Sequence, residues 1–151
     1  MSKTITRTPE KTEVLGECLA ALLQPGDIVV LEGDLAAGKT TFVRGIVRAL
    51  AGDPADVSSP TFVLVQSYPC RARQIRAVHH VDLYRLTDRD ARALRETGIT
   101  DLLDEADAIG TIEWPRSELV DQFGTNRRVW HVVITILEDG ARSITIGPPA
   151  P

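Results

Sequence analysis

The chain has 151 residues, 43% of them hydrophobic and 25% charged, with a formal net charge of −4. That length fits one domain able to bury its own core, and that charge excludes the broad basic surface needed for autonomous tight binding to nucleic acid. No run approaches the ~18 apolar residues of a membrane-crossing helix, so no membrane-spanning segment and no membrane partner is expected.

The N-terminus, Met1 to Thr6, lacks the apolar stretch of a secretory signal. Cys18 and Cys70 stand alone without C-x-x-C spacing, so both read as reduced, non-catalytic thiols of a cytoplasmic protein. Thr8-Pro9 marks a helix start, with proline suited to the first helical position. Val14, Leu15, Cys18, Leu19, Leu22 and Leu23 then recur at helical spacing and predict one apolar stripe. Pro25-Gly26 ends that helix and turns into a strand over 27–32.

Next comes Gly33-Asp34-Leu35-Ala36-Ala37-Gly38-Lys39-Thr40, which fits G-x-x-x-x-G-K-[ST] between an apolar strand and a helical pattern. Phe42, Val43, Ile46, Val47 and Leu50 predict the buried face of the following helix, which closes at Gly52. Gly45 inside it costs about 1 kcal/mol relative to alanine, which points to close packing there. A loop carrying Ser58-Ser59-Pro60 follows, then strand-like runs 61–68 and 75–82 joined by the polar stretch 69–74 as a hairpin. Residues 88–95 and 100–105 predict short polar helices around Gly98, and 109–114 predicts a short buried strand. Pro115 starts another helix. Trp130, Val132, Ile134 and Ile136 alternate, Asp139-Gly140 is a hairpin turn, 142–147 is its partner strand, and about 148–151 is a flexible tail. The basic pairs Arg71/Arg73 and Arg127/Arg128 read as solvated loops. The fold class is α/β: residues 1–151 form a single nucleotide-binding domain with a mixed central sheet flanked by helices and a C-terminal β-hairpin.

The loop carries the chemistry. Its glycines let the chain curl so that successive N–H groups face phosphate oxygens; Lys39 reaches the β/γ-phosphates and the Thr40 hydroxyl ligates Mg²⁺. The nucleotide-binding residues are therefore Asp34, Leu35, Ala36, Ala37, Gly38, Lys39, Thr40 and Thr41. A Mg²⁺–triphosphate site also wants a carboxylate at the carboxyl end of a neighbouring strand, and both Asp82 and Glu113 qualify. Asp107-Ala108-Ile109-Gly110 matches D-x-x-G but reads better as a loop entering a strand; with no N-K-x-D motif in the chain, ATP is favoured over GTP. His79 and His80 are adjacent in a strand, face opposite sides and read as structural. Trp114 reads as core. No covalent-catalysis constellation and no zinc spacing appears.

Leu31-Glu32-Gly33 through Thr41, Ser59-Pro60-Thr61-Phe62, Asp82-Leu83-Tyr84-Arg85-Leu86 and Ile112-Glu113-Trp114-Pro115, in this order and spacing, resemble the TsaE (YjeE) family of bacterial ATPases. The resemblance spans residues 28 to about 118. It implies a role in making N6-threonylcarbamoyladenosine at position 37 of tRNAs that read codons beginning with A. It also implies binding to a heterodimer of TsaD and TsaB, in which TsaD transfers threonylcarbamoyl from threonylcarbamoyl-AMP to the tRNA. ATP hydrolysis here would then drive assembly and resetting of that complex, with tRNA met only indirectly. By resemblance Glu113 is a Mg²⁺ ligand, Asp82 the second acid, and Thr61 a switch-like residue sensing the γ-phosphate. Tyr84 and Arg85 face either the partner or the nucleotide, or else serve as packing and a surface charge.

One departure stands out: the family commonly has glycine where this chain has Ala36, so the loop must take a conformation that alanine accepts. Two other readings use the same loop. A small-molecule kinase would recruit the arginines at 85, 89, 92 and 95 as a lid, although their spacing equally fits one exposed helix face. A third is a nucleotide-binding module without useful turnover.

Overall fold

Strands that are apolar on both faces must be covered twice, and Ile28-Val29-Val30-Leu31 is such a run. Successive side chains alternate, so Val29 and Leu31 enter one buried cluster with Phe42, Ile46 and Leu50, while Ile28 and Val30 enter a second with Leu83, Ile99 and Leu119. Each fully buried side chain of this size stabilises the fold by about 1.5–3 kcal/mol. The computed structural model describes residues 2–60, 64–85, 96–124 and 126–149.

In chain order the elements are β1 (Ser2–Thr6), α1 (Pro9–Ala20), β2 (Ile28–Glu32), α2 (Lys39–Ala49), a 3-10 turn (Pro54–Asp56), β3 (Val65–Ala72) and β4 (Ile75–Asp82). Then follow α3 (Ile99–Leu103), β5 (Ala108–Glu113), α4 (Ser117–Gly124), β6 (Val129–Ile136) and β7 (Arg142–Gly147). The sheet order is β1-β7-β6-β2-β5-β4-β3. The four central strands β6, β2, β5 and β4 run parallel; β3 pairs antiparallel with β4, β7 with β6, and β1 with β7. The mixed sheet and C-terminal hairpin match the sequence expectation. Strand β1 has no counterpart in it, because Ser2 to Ile5 are exposed and no buried alternation marks them.

Helix α1 starts as predicted, with the Thr8 side chain accepting from Lys11 N and Pro9 in the first turn. The predicted stripe holds in part: Leu19 and Leu23 are buried and Leu15 packs against the core, but Val14, Cys18 and Leu22 are exposed, and Thr12, Glu13, Gly16 and Ala20 are buried instead. The cause is backbone contact with α2. A Cβ on Gly16 would lie 2.2 Å from the Phe42 carbonyl oxygen, and one on Gly45 would lie 1.9 Å from that of Glu13. Gly45 is the close approach its sequence position suggested. Glu13, buried beside this contact, pairs with Arg48 at 2.7 Å and Arg44 at 3.4 Å, which offsets the desolvation of its carboxylate.

The β3–β4 hairpin exists, but its turn is tighter than 69–74. Arg73 and Gln74 both take positive φ (57° and 63°), the requirement of a two-residue type I′ turn. Residues 61–63, 86–95, 125 and 150–151 lie outside the described residues, and with them Thr61, the start of the predicted first strand, the predicted helix 88–95 with Arg89, Arg92 and Arg95, and the end of the predicted tail. The basic pairs are not merely solvated: Arg73 donates to the Ala20 carbonyl at 2.6 Å, and Arg127 to those of Gly26 and Glu105 at 3.1 and 3.2 Å. Among the described residues no helix is long and apolar enough to cross a membrane.

Candidate nucleotide site at the carboxyl ends of the central strands

Parallel pairing aligns strand ends, and here β4 and β5 end in the same register: Asp82 is the partner of Glu113. Alternation puts His80, Asp82 and Glu113 on the sheet face that α2 covers, because Val78 and Ile109 on the same strands belong to the α2-side cluster. The loop from β2 curls above them. Gly33 and Gly38 take φ of 155° and 111°, and α2 begins at Lys39 with no side-chain cap and no acidic residue in its first turn. Such a helix start offers N–H donors and the positive end of the helix dipole to an anion.

Leu35 through Thr41, Ser59, Asp82, Tyr84, Arg85, Glu113 and Trp114 line one cavity of ≈ 470 Å³, and Asp34 faces an adjoining hollow of ≈ 460 Å³. Lys39 is buried and folded onto its own loop, donating to the carbonyl oxygens of Gly33 at 2.6 Å and Asp34 at 2.9 Å. Burial holds its ammonium below the ordinary lysine range, against the pull of Glu113, Asp82 and Asp34. Thr40 Oγ1 donates to Glu113 Oε1 at 3.0 Å. Burial raises the Asp82 carboxyl above its usual range, with the nearby Glu113 charge adding to it, although the Tyr84 N–H donates to Asp82 Oδ1 at 2.9 Å and opposes the rise.

Ala36 does not escape positive φ. It sits at 61°, in the small left-handed region an L-residue occupies at a cost of roughly 1–2 kcal/mol, so alanine accepts the geometry glycine would take freely. Arg142 on β7 supports this corner, donating to the carbonyls of Ala37 at 3.3 Å and Ala36 at 3.2 Å.

Trp114 corrects its assignment to the core. It is partly exposed, lines the cavity, holds φ at 56°, packs against Tyr84 with centroids 4.9 Å apart, and lies 4.3 Å beneath Lys39 Nζ. Left-handed backbone at a bulky residue is strain of the kind that collects at functional sites. Asp107 lies at the far end of β5 from Glu113 and pairs with Arg76 at 3.3 Å, in agreement with its reading as a strand entry.

His79 and His80 point to opposite faces as expected. His79 lies between Ser67 and Glu105, at 2.7 and 2.8 Å. His80 joins the site: its Nε2 donates to Glu113 Oε1 at 2.7 Å, and its Nδ1 is 3.2 Å from the Tyr68 hydroxyl. The signal for this was the parity of residues 80, 82 and 113, once the β4–β5 register is known.

The donors fit a magnesium–triphosphate group. Thr40 and Glu113 offer hard oxygens at one point with Asp82 alongside. No group of three His, Cys, Asp or Glu converges among the described residues. An ion bound through one or two side chains and the phosphates themselves is the magnesium pattern, unlike an all-protein cage.

A family model described as "Threonylcarbamoyl adenosine biosynthesis protein TsaE" matches residues 6–144. The TsaE protein of Bacillus subtilis, named for tRNA threonylcarbamoyladenosine biosynthesis, is 32% identical over 140 residues, covering 93% of this chain and 81% of that protein. The protein of the same name from Rickettsia bellii is 34% identical, covering 96% and 94%. The crystal structure of Bacillus subtilis YdiB superposes with a TM-score of 0.67 at 26% identity, covering 99% of this chain and 86% of that one. The sequence motifs, the loop geometry and these matches agree: the chain belongs to the TsaE family of tRNA threonylcarbamoyladenosine biosynthesis proteins.

Proposed function

We propose that the protein binds Mg-ATP in the loop Gly33–Thr40 and hydrolyses it, feebly on its own. The nucleotide cycle drives assembly and resetting of the TsaB–TsaD complex that modifies tRNA. The observation carrying this reading is the convergence of Lys39, Thr40, Asp82 and Glu113 at the mouth of a curled loop, on one face of the sheet. In this account the loop N–H groups and the start of α2 hold the phosphates. Lys39 leaves the Gly33 and Asp34 carbonyls to meet the β/γ oxygens. Magnesium, when bound, neutralises charge building on the β/γ oxygens. Thr40 and Glu113 hold it, and Asp82 orients water or an outer ligand. Thr61 senses the γ-phosphate from the segment after Ser59-Pro60.

Family membership supports the pathway, and the geometry supports the nucleotide. Binding to TsaB and TsaD, a cytoplasmic setting and an indirect meeting with tRNA are parts of the same proposal, supported respectively by the family resemblance, the unpaired cysteines and the net charge of −4. ATPase rates measured with and without purified TsaB and TsaD test the proposal. A slow rate that rises with the partners is expected. A rate indifferent to them, with rapid phosphorylation of a small metabolite, would instead establish the kinase alternative.

A further inference from the structure

Glu113 Oε1 accepts two hydrogen bonds, from Thr40 Oγ1 and from His80 Nε2, and its other oxygen makes none among the described residues. The second donor is fully buried. A His80 tautomer with its proton on Nε2 leaves Nδ1 as an acceptor, 3.2 Å from the Tyr68 hydroxyl. That hydroxyl has one proton, which a bond to Nδ1 takes up; its oxygen then accepts from the Ser58 N–H at 3.4 Å, while Gln66 Oε1 at 2.7 Å and the Ser58 carbonyl oxygen at 3.0 Å lie within reach as competing acceptors. A continuous chain therefore runs from Thr40 through Glu113, His80 and Tyr68 to the backbone at Ser58. Ser58 immediately precedes Ser59, which lines the nucleotide cavity.

From this geometry we infer that His80 is a positioning residue for the metal carboxylate, and that Tyr68 ties that carboxylate to the Ser58–Pro60 segment. The inference rests on the Mg-ATP reading above. A carboxylate on a strand end can rotate; a buried donor fixed at 2.7 Å selects the rotamer that leaves the second oxygen to the cation. The Tyr68 hydroxyl, donating to Nδ1, fixes the ring in turn, and the Ser58 N–H that it accepts makes the arrangement depend on where that segment lies. Neither side chain touches the nucleotide cavity, so both act through Glu113.

The test is the magnesium concentration that half-saturates binding of a non-hydrolysable ATP analogue, followed by tryptophan fluorescence, beside the analogue's affinity in EDTA. For His80→Leu the magnesium midpoint should rise about 10–100-fold while the EDTA affinity moves less than about twofold. His80→Gln carries an amide donor to the same carboxylate and should return the midpoint to within about threefold of the parent, while Tyr68→Phe should raise it by about threefold or more. Midpoints of His80→Leu and Tyr68→Phe equal to the parent's overturn the inference, as does His80→Gln impaired as fully as His80→Leu. Should His80→Leu not fold, the other two variants decide it. A parent protein that binds no analogue, with or without magnesium, overturns the Mg-ATP reading itself and takes this inference with it.

Discussion

Thr40 and Glu113 stand 73 residues apart in the chain and meet at 3.0 Å, hydroxyl to carboxylate, where the start of α2 passes the end of β5. Two elements of the fold thus bring together the hard oxygens a magnesium ion selects. Replacing Glu113 with alanine removes the acceptor of both Thr40 and His80. Turnover of Mg-ATP should fall by at least about 100-fold, and Lys39→Ala should fall as far. Circular dichroism should show both variants folded. Metal-dependent turnover surviving in Glu113→Ala would remove that residue from the metal site.

Gly45→Ala sets helix propensity against packing. Alanine gains roughly 1 kcal/mol in a helix interior, but its methyl would sit 1.9 Å from the Glu13 carbonyl oxygen, which is backbone and cannot swing aside. Overpacking of this kind costs about 1–3 kcal/mol or more, so urea unfolding should show a net loss of stability. A gain would mean that α1 can move away from α2 at little cost.

Ala36→Gly should act in the other direction. Relief of φ at 61° returns roughly 1–2 kcal/mol, from which glycine's freedom in the unfolded chain subtracts about 0.4–1 kcal/mol. The expected result is a stabilisation of between about 0 and 1.6 kcal/mol with nucleotide binding retained. A lower melting temperature would show that the alanine methyl makes contacts worth more than the strain.

The two thiols should separate by pH. Burial pushes the Cys70 thiol up to about 11 from an ordinary value of 9.0, whereas Cys18 is exposed. At pH 8 the Cys70 thiolate fraction is then on the order of 100-fold below an ordinary cysteine's, and alkylation followed by mass spectrometry should mark Cys18 alone. Because the folded value is the raised one, the stability this group contributes is complete below pH 9.0 and is lost as pH rises through about 11. Rapid labelling of Cys70 at pH 8 would place it outside the core.

What the sequence disclosed follows the range of each signal. Gly33, Gly38, Lys39 and Thr40 are local in the chain, and their spacing alone identified the loop. Asp82 and Glu113 were legible as strand ends, since a short apolar run terminating in an acid is also local. The face of α1 was legible only in part, through Leu15, Leu19 and Leu23; two glycines on different helices set the rest, and hydrophobic periodicity gives no weight to Gly16 or Gly45. His80 stayed hidden for a similar reason: its partners Tyr68 and Glu113 sit on neighbouring strands, and only register shows that they meet. Trp114 looked like core because size and apolarity favour burial, while the left-handed backbone that turns it toward Lys39 leaves no mark in composition.

Whether the loop Gly33–Thr40 holds a nucleotide is decided by calorimetric titration of the protein with ATP and magnesium, beside Lys39→Ala. Saturable, magnesium-enhanced binding at one site per chain is expected in the parent protein, and its loss in the variant. No heat of association in the parent, or equal affinity in Lys39→Ala, would contradict nucleotide binding by this loop.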